Sequence, residues 1–294
     1  MAGHEVIGPG LKSAGKLIVH ADDFGLSEKI NDGILHAHLH GILTSTSVMA
    51  NGRAFEHALK ICRSVPTLDI GVHLTLVEEP PVLPREKIPS LVGGEGRFHR
   101  HAMTFLRKYA AGRIRLAEVR CELEAQIKKV ASYGISISHL DSHQHLHILP
   151  QILNLTVDLA EQYGIPAIRF PYETPRFYML GNRKAFSRLP QLLGLNLFCR
   201  LGKKAIPLHT AHFAGFFFGG DLQKKNLHKT LEFLPVGETC ELMCHPGLAD
   251  EYGAYRRWRY HWAEEFLALT DPEIAAFLSA KGIRLISYRQ LANL

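Results

Sequence analysis

No uninterrupted apolar run in this 294-residue chain approaches the roughly 18–20 residues that cross a bilayer, so no transmembrane segment is expected. Met1–Lys16 lacks the continuous apolar core of a secretion signal, and none is read there. Cysteine is scarce. The five residues (Cys62, Cys121, Cys199, Cys240, Cys244) are odd in number and widely scattered, which argues against a disulfide framework and for reduced thiols in a cytoplasmic setting. No G-x-G-x-x-G follows the first predicted strand, so a dinucleotide-binding fold loses its main support. Lys and Arg outnumber Asp and Glu, 34 to 28, but form only short clusters such as Lys203-Lys204 and Arg256-Arg257-Trp258-Arg259. Solvated faces account for these, and no nucleic acid partner is expected. Neither a linker nor an internal repeat divides the chain, so residues 1–294 are read as one domain.

What the chain has in excess is histidine, 18 residues of it, set within alternating strand and helix patterns. Strands are predicted at Leu17–His20, Thr44–Ala50, Ile70–Leu76, Ile135–His143, Ala167–Phe170, Thr210–Phe218, Glu238–Cys244 and Arg284–Ser287. Helical patterns lie between them, at Glu28–His40, Ala54–Arg63, Ala102–Tyr133 with a break at Gly112, Pro150–Tyr163, Arg176–Lys204, Leu222–Phe233 and Asp271–Lys281. Val77–His101 is a Pro/Gly-rich loop insertion without periodicity. Seven or eight strand–helix units imply right-handed crossovers and a parallel sheet, hence an α/β fold, and favour a closed (β/α) TIM-like barrel over an open doubly wound sheet.

Functional side chains in such a barrel sit at the C-terminal ends of strands. Strand one ends in Asp22-Asp23; strand three carries His73; strand four runs from His139 through Asp141, His143 and His145 to His147; strand five holds Arg169 and leads to Glu173; strand seven closes on His245. Adjacent buried carboxylates must be paired or neutralised, and a divalent cation would do this while leaving one carboxylate free to move a proton. The plainer alternative is an N-cap pair for the helix that follows. Residues 139, 141, 143, 145 and 147 share one face as long as the backbone stays extended. A lone buried His73 is equally readable as a hydrogen-bonded core residue. His36, His38 and His40 are read as a solvated helix face, and Cys240 and Cys244 as core residues. One Asp and two His leave open positions on a cation, as catalytic sites do, and such ligands admit zinc, magnesium, manganese or iron(II).

Ala21-Asp22-Asp23-Phe24-Gly25-Leu26-Ser27, Gly71-Val72-His73-Leu74, His139-Leu140-Asp141-Ser142-His143 and Cys244-His245-Pro246-Gly247, in this order, resemble the motifs of the YdjC-like carbohydrate deacetylases. That family includes chitooligosaccharide and hopanoid-associated deacetylases, and the similarity extends to Ile286-Ser287-Tyr288-Arg289. The resemblance implies a (β/α) barrel, often incomplete, and one divalent metal ion held by Asp23, His73 and His143. It implies Asp22 as catalytic base, His245, as imidazolium, as general acid, and Arg169 as the partner of the base. The implied reaction is metal-assisted removal of an N-acetyl group from an N-acetylglucosamine-containing substrate.

The substrate itself is read less directly. Asp141, His145, Glu173 and Phe216 are candidate substrate contacts, and the 77–101 loop and the Phe213–Phe218 run are candidate walls for a pyranose. Phe216–Phe218 reads equally as a buried strand. Were it exposed, peripheral contact with a lipid-linked substrate would be favoured over a soluble chitooligosaccharide. A homodimer is left open. Two other classes compete. Metal amidohydrolases supply His-x-His from strand one, where this chain has Asp-Asp; a non-catalytic carbohydrate- or polyanion-binding barrel leaves the carboxylates beside the histidines unexplained.

Overall fold

The computed structural model describes residues 15–202, 206, 208–235, 237–248 and 253–294; Lys203, Lys204 and nearly all of Met1–Lys16 lie outside them. Eight strands form one parallel sheet: β1 (Lys16–Phe24), β2 (Ser45–Val48), β3 (Asp69–Leu74), β4 (His139–Ser142), β5 (Ala167–Ile168), β6 (His212–Ala214), β7 (Thr239–Cys244) and β8 (Arg284–Leu285). The order is β5-β4-β3-β2-β1-β7-β6, with β8 on β1. The helices, in chain order, are α1 (Glu28–His40), α2 (Phe55–Ser64), α3 (Ala102–Ala110), α4 (Leu116–Ala131), α5 (Pro150–Gln162) and α6 (Phe177–Leu180). They continue as α7 (Ala185–Gly202), α8 (Lys224–Glu232), α9 (Trp262–Leu269), α10 (Pro272–Ala280) and α11 (Tyr288–Leu291).

β1 is the axis of the sheet. Leu17, Ile18, Val19 and Ala21 are wholly buried, as expected of a parallel strand covered on both faces. Burial of each of the Leu, Ile and Val side chains contributes about 1.5–3 kcal/mol. β7 pairs with one edge of β1 from Lys16 to Ala21. On the other edge β8 takes Lys16 and Leu17, and β2 takes over from His20. The outer strands β5 and β6 curl toward each other. Between them lie an isolated parallel bridge, Glu173 to Phe213, and a hydrogen bond from Ile168 N to Leu208 O. The result is a half-barrel curled almost to closure, an incomplete (β/α) barrel.

Several local expectations change. β1 runs on through Asp22 and Asp23 to Phe24, and the N-cap of α1 is Ser27, whose Oγ accepts from Ile30 N at 3.2 Å. The two aspartates are therefore strand residues, which removes the capping alternative. β4 ends at Ser142 because Gln144 and His145 adopt left-handed φ values of 56° and 53°. The predicted common face of 139, 141, 143, 145 and 147 therefore stops at the strand end. His147 turns back to the scaffold, in contact with Ser142 Oγ at 2.6 Å and Arg169 O at 3.1 Å. The sixth strand shrinks to β6 because Gly215, at φ 111°, ends it; a Cβ there would come within 2.3 Å of Met243 O. The long helical pattern divides, as expected, into α3 and α4 around Gly112, at φ 66°.

The 77–101 loop is irregular but anchored. Ile88, Leu91 and Phe98 are buried, Glu122 accepts from Val82 N and Leu83 N, and Glu118 accepts from Ser90 N. α9 and the 3-10 turn Gly253–Trp258 have no counterpart in the sequence reading. No helix among the described residues is long and apolar enough to cross a membrane.

Candidate functional site

The C-terminal ends of the strands deliver a buried ionic network with Arg169 at its centre. Its guanidinium meets Asp22 through two parallel bonds, Nη1 to Oδ2 at 2.8 Å and Nη2 to Oδ1 at 2.6 Å. It also reaches Asp141 Oδ2 and Glu241 Oε1, each at 2.8 Å. Tyr288, from α11, donates to Glu241 Oε2 at 2.5 Å. A wholly buried guanidinium needs such company, and three carboxylates supply it. Burial alone would raise the Asp22 pKa, but the Arg169 charge outweighs it and holds the carboxyl well below its ordinary value. Asp22 is an anion throughout the working range.

Asp23 faces the other way, helped by its left-handed φ of 66° and a bulge between Ala21 and Phe24. Its Oδ1 lies 3.5 Å from His73 Nε2 and 3.1 Å from His143 Nδ1, and one donor atom from each of the three residues falls within 4.8 Å of the others. His73 is oriented from behind. Its Nδ1 lies 2.9 Å from Asp141 Oδ1 and 3.0 Å from Ser47 Oγ, which leaves Nε2 facing Asp23. A carboxylate behind an imidazole fixes the tautomer in the way metal sites use. Burial pulls the His143 pKa down, but Asp23 and Glu78 overcome it and raise it to about 10. A proton on His143 is one way to balance the Asp23 charge; a divalent cation among the three residues is another.

Two other donor groups are spatially close: His20, His139 and Asp141, and Asp22, His73 and Asp141. Both depend on carboxylates already neutralised by Arg169. In the first group the His139 ring also packs on Gly71, where a Cβ would stand 2.4 Å from its Nε2. Asp23 is free of a guanidinium, and its buried Oδ2 has no hydrogen-bond partner. The Asp23–His73–His143 set is thus the one whose chemistry fits a cation.

His245 joins these residues at the mouth, in a cleft also lined by Asp22, His143, His145, Arg188, Phe216 and Tyr260. Its backbone N donates to Glu265 at 2.6 Å, and its ring lies 4.7 Å from that of Tyr260. Burial depresses the His245 pKa despite Asp22 and Asp23, which favours the neutral ring at rest; the imidazolium expected from the resemblance belongs to the acid step. His145 lines the cleft between Phe213 and Phe216, and Phe216 is half-buried while Phe217 and Phe218 are buried. Asp141 is brought to the network but lies beneath the mouth at 0% exposure, behind His73 and Arg169. Glu173 is not brought to the cleft at all. It accepts from Gly215 N at 3.1 Å and Phe217 N at 2.8 Å and fastens the β5–β6 seam.

Sequence reasoning missed Ser47, Glu241, Glu265, Arg188, Trp258 and Tyr260. Of these Glu241 had a usable signal, a carboxylate inside an otherwise apolar buried strand, Cys240 to Cys244. Trp258, 5.1 Å from His143 between ring centres, comes from a turn that no periodicity marks.

The family model described as YdjC-like protein matches residues 16–280. A carbohydrate deacetylase of Geobacillus stearothermophilus is 33% identical over 94% of this chain and 98% of its own length. A chitooligosaccharide deacetylase of Serratia marcescens is 30% identical over 94% of this chain and 98% of its own. Among solved structures, a protein of Enterococcus faecalis V583 carrying a provisional description as a cellobiose-phosphate cleavage protein superposes with a TM-score of 0.76. It is 28% identical, over 95% of this chain and 99% of that one.

Proposed function

The chain belongs to the YdjC-like protein family, and on that footing we propose that it is a carbohydrate deacetylase that hydrolyses the N-acetyl group of an N-acetylglucosamine-containing substrate. The observation that carries this reading is the division of labour between two adjacent aspartates. Asp22 is held as an anion by Arg169, while Asp23 turns to His73 and His143.

Asp23, His73 and His143 would hold one divalent metal ion, zinc or magnesium by preference over manganese or iron. Bound there, it supplies Lewis acidity, polarising the acetamide carbonyl and lowering the pKa of water enough for a weak base to suffice. The residues of the chain do the rest. Asp22 accepts the water proton at a carboxylate oxygen, and the bidentate Arg169 contact keeps that oxygen aimed. His245, neutral at rest, gains a proton within the catalytic cycle and delivers it to the departing amine. Phe216 and Tyr260 offer flat apolar faces to the pyranose, and Arg188 reaches into the same cleft. The whole chain acts as one catalytic domain, with the 77–101 loop beside the mouth.

Metal analysis of the purified protein, followed by acetate release from diacetylchitobiose and from an N-acetylglucosaminyl lipid, tests this. Expected are about one equivalent of metal per chain, activity abolished by chelation and restored by metal, and preference for one of the two substrates. Metal-free protein that neither binds added zinc or magnesium nor releases acetate would overturn it.

A further inference from the structure

The mouth of the barrel is bordered by a surface that deacetylation does not use. From Thr174 to Gly220 the sequence holds seven Lys or Arg and no Asp or Glu, which accounts for the whole net charge of +6 and leaves the remainder close to neutral. Among the described residues of this segment lie α6, α7 and β6; Lys203 and Lys204 fall outside the described residues. Along α7, Phe186, Pro190, Leu193, Leu197 and Leu201 recur at three- and four-residue steps, which places them on one stripe. That stripe faces outward: Phe186 is 96% exposed, and Leu193, Leu197 and Leu201 are each more than half exposed. Phe177, on α6, is 92% exposed. The opposite side of α7, with Leu192, Leu195 and Cys199, packs into the protein.

An apolar helix face flanked by cations is the pattern of a helix lying in a bilayer interface, with the apolar side chains among acyl chains and the cations at anionic headgroups. Two-fold pairing with a second copy would set this basic segment against itself, a like-charge contact that disfavours the dimer. Arg188, half a turn from Phe186 and so on the side of α7 opposite the stripe, donates to Gly219 O at 2.8 Å and lines the catalytic cleft with Asp22 and His245, so the stripe and the cleft lie on opposite sides of this helix.

We propose that the α6–α7 face docks on an anionic phospholipid bilayer, with Phe177 and Phe186 entering the interface. Docking is independent of the deacetylase reading and is tested without substrate. The full chain is sedimented with phosphatidylcholine vesicles with and without phosphatidylglycerol, at low and high salt. Expected is partition onto phosphatidylglycerol vesicles alone, weakened by salt because headgroup attraction is screened. A Phe186→Ser/Leu193→Ser/Leu197→Ser variant should lose about tenfold in partition with little change in the unfolding midpoint, because these side chains are mostly exposed and none belongs to the buried core. Arg183→Glu, an exposed charge reversal, should weaken partition without touching the apolar stripe. No binding to anionic vesicles, or equal binding by all three proteins, overturns the proposal. So does a wild-type dimer that ignores vesicles and dissociates on the serine substitutions, which would give the face to a second copy.

Discussion

Arg169 and Asp22 meet through two parallel hydrogen bonds, of 2.8 and 2.6 Å, and both side chains are almost wholly withdrawn from water. The pair reaches across the half-barrel, from the segment just after β5 to β1, and only the curl of the sheet brings its members together. A guanidinium can satisfy Asp22, Asp141 and Glu241 at once because its donors diverge in one plane; a lysine ammonium is a point donor on a flexible stem. Arg169→Lys should therefore keep the charge balance and the fold but misplace the Asp22 carboxylate. Turnover of the acetylated sugar should fall by about 10²-fold with metal content unchanged. Full activity in the lysine variant would show that Asp22 needs no bidentate partner.

Asp22→Asn asks a different question, since the amide fills the same space but cannot accept a proton from water. Metal content should stay at the wild-type level, because Asp23 with His73 and His143 forms a donor set apart from Asp22. The rate of acetate release should drop by about 10²–10⁴-fold, the usual contribution of a positioned general base. Loss of metal together with activity would move Asp22 into the ligand set; retained activity would remove it from the base role.

Asp141 supports the site from behind, through His73 Nδ1 at 2.9 Å. In Asp141→Asn the amide oxygen can still accept, but the charge that fixes the imidazole is gone, and Arg169 loses one of three counter-ions. Metal affinity should weaken by about 10–100-fold, as when a carboxylate behind a histidine ligand is lost. Competition against a chromogenic chelator measures it. An unchanged affinity would mean that Ser47, 3.0 Å from the same nitrogen, suffices to orient the ring.

How far the sequence could be read depended on whether a residue acts at its own strand end or through another side chain. Asp22, Asp23, His73, His143 and His245 stood out because polar groups at the ends of apolar strands have one place to go in a parallel barrel, its mouth. The parallel (β/α) barrel type followed from strand–helix alternation, whereas its incompleteness was implied only by the family resemblance. Asp141, on the same strand as His139, was legible as inward-pointing but not as a residue beneath the surface, because depth along the barrel has no local signature. Glu173 was read as a substrate contact from its nearness to Arg169 in sequence, yet the chain turns after β5 and spends that carboxylate on two backbone N–H groups. Tyr288 contributes through Glu241, 47 positions away, a partnership created by the pairing of both β7 and β8 with β1. β4 was expected over Ile135–His143 and spans His139–Ser142; beyond it two successive left-handed residues, Gln144 and His145, end the alternation that would have kept positions 145 and 147 on the strand face.

Glu173 supplies a test of the seam that is separate from catalysis. Burial raises its pKa to about 7, and the Gly215 and Phe217 N–H groups recover only part of that shift. In the unfolded chain the same carboxyl titrates near 4.5. Between these values the native protein holds a proton that the unfolded chain has released, so stability is greatest below about 4.5 and declines as pH rises toward 7. One pKa unit corresponds to about 1.4 kcal/mol, so a decline on the order of 3 kcal/mol is the upper bound for this group. Glu173→Gln cannot titrate. It should cost about 1–3 kcal/mol at low pH, where one backbone donor loses its acceptor, and lose less than wild type as pH rises. Urea midpoints of both proteins at pH 5 and pH 7.5 give the comparison: the gap between them should narrow at the higher pH. A gap that stays constant or widens would show that Glu173 is ionised in the native seam at both values.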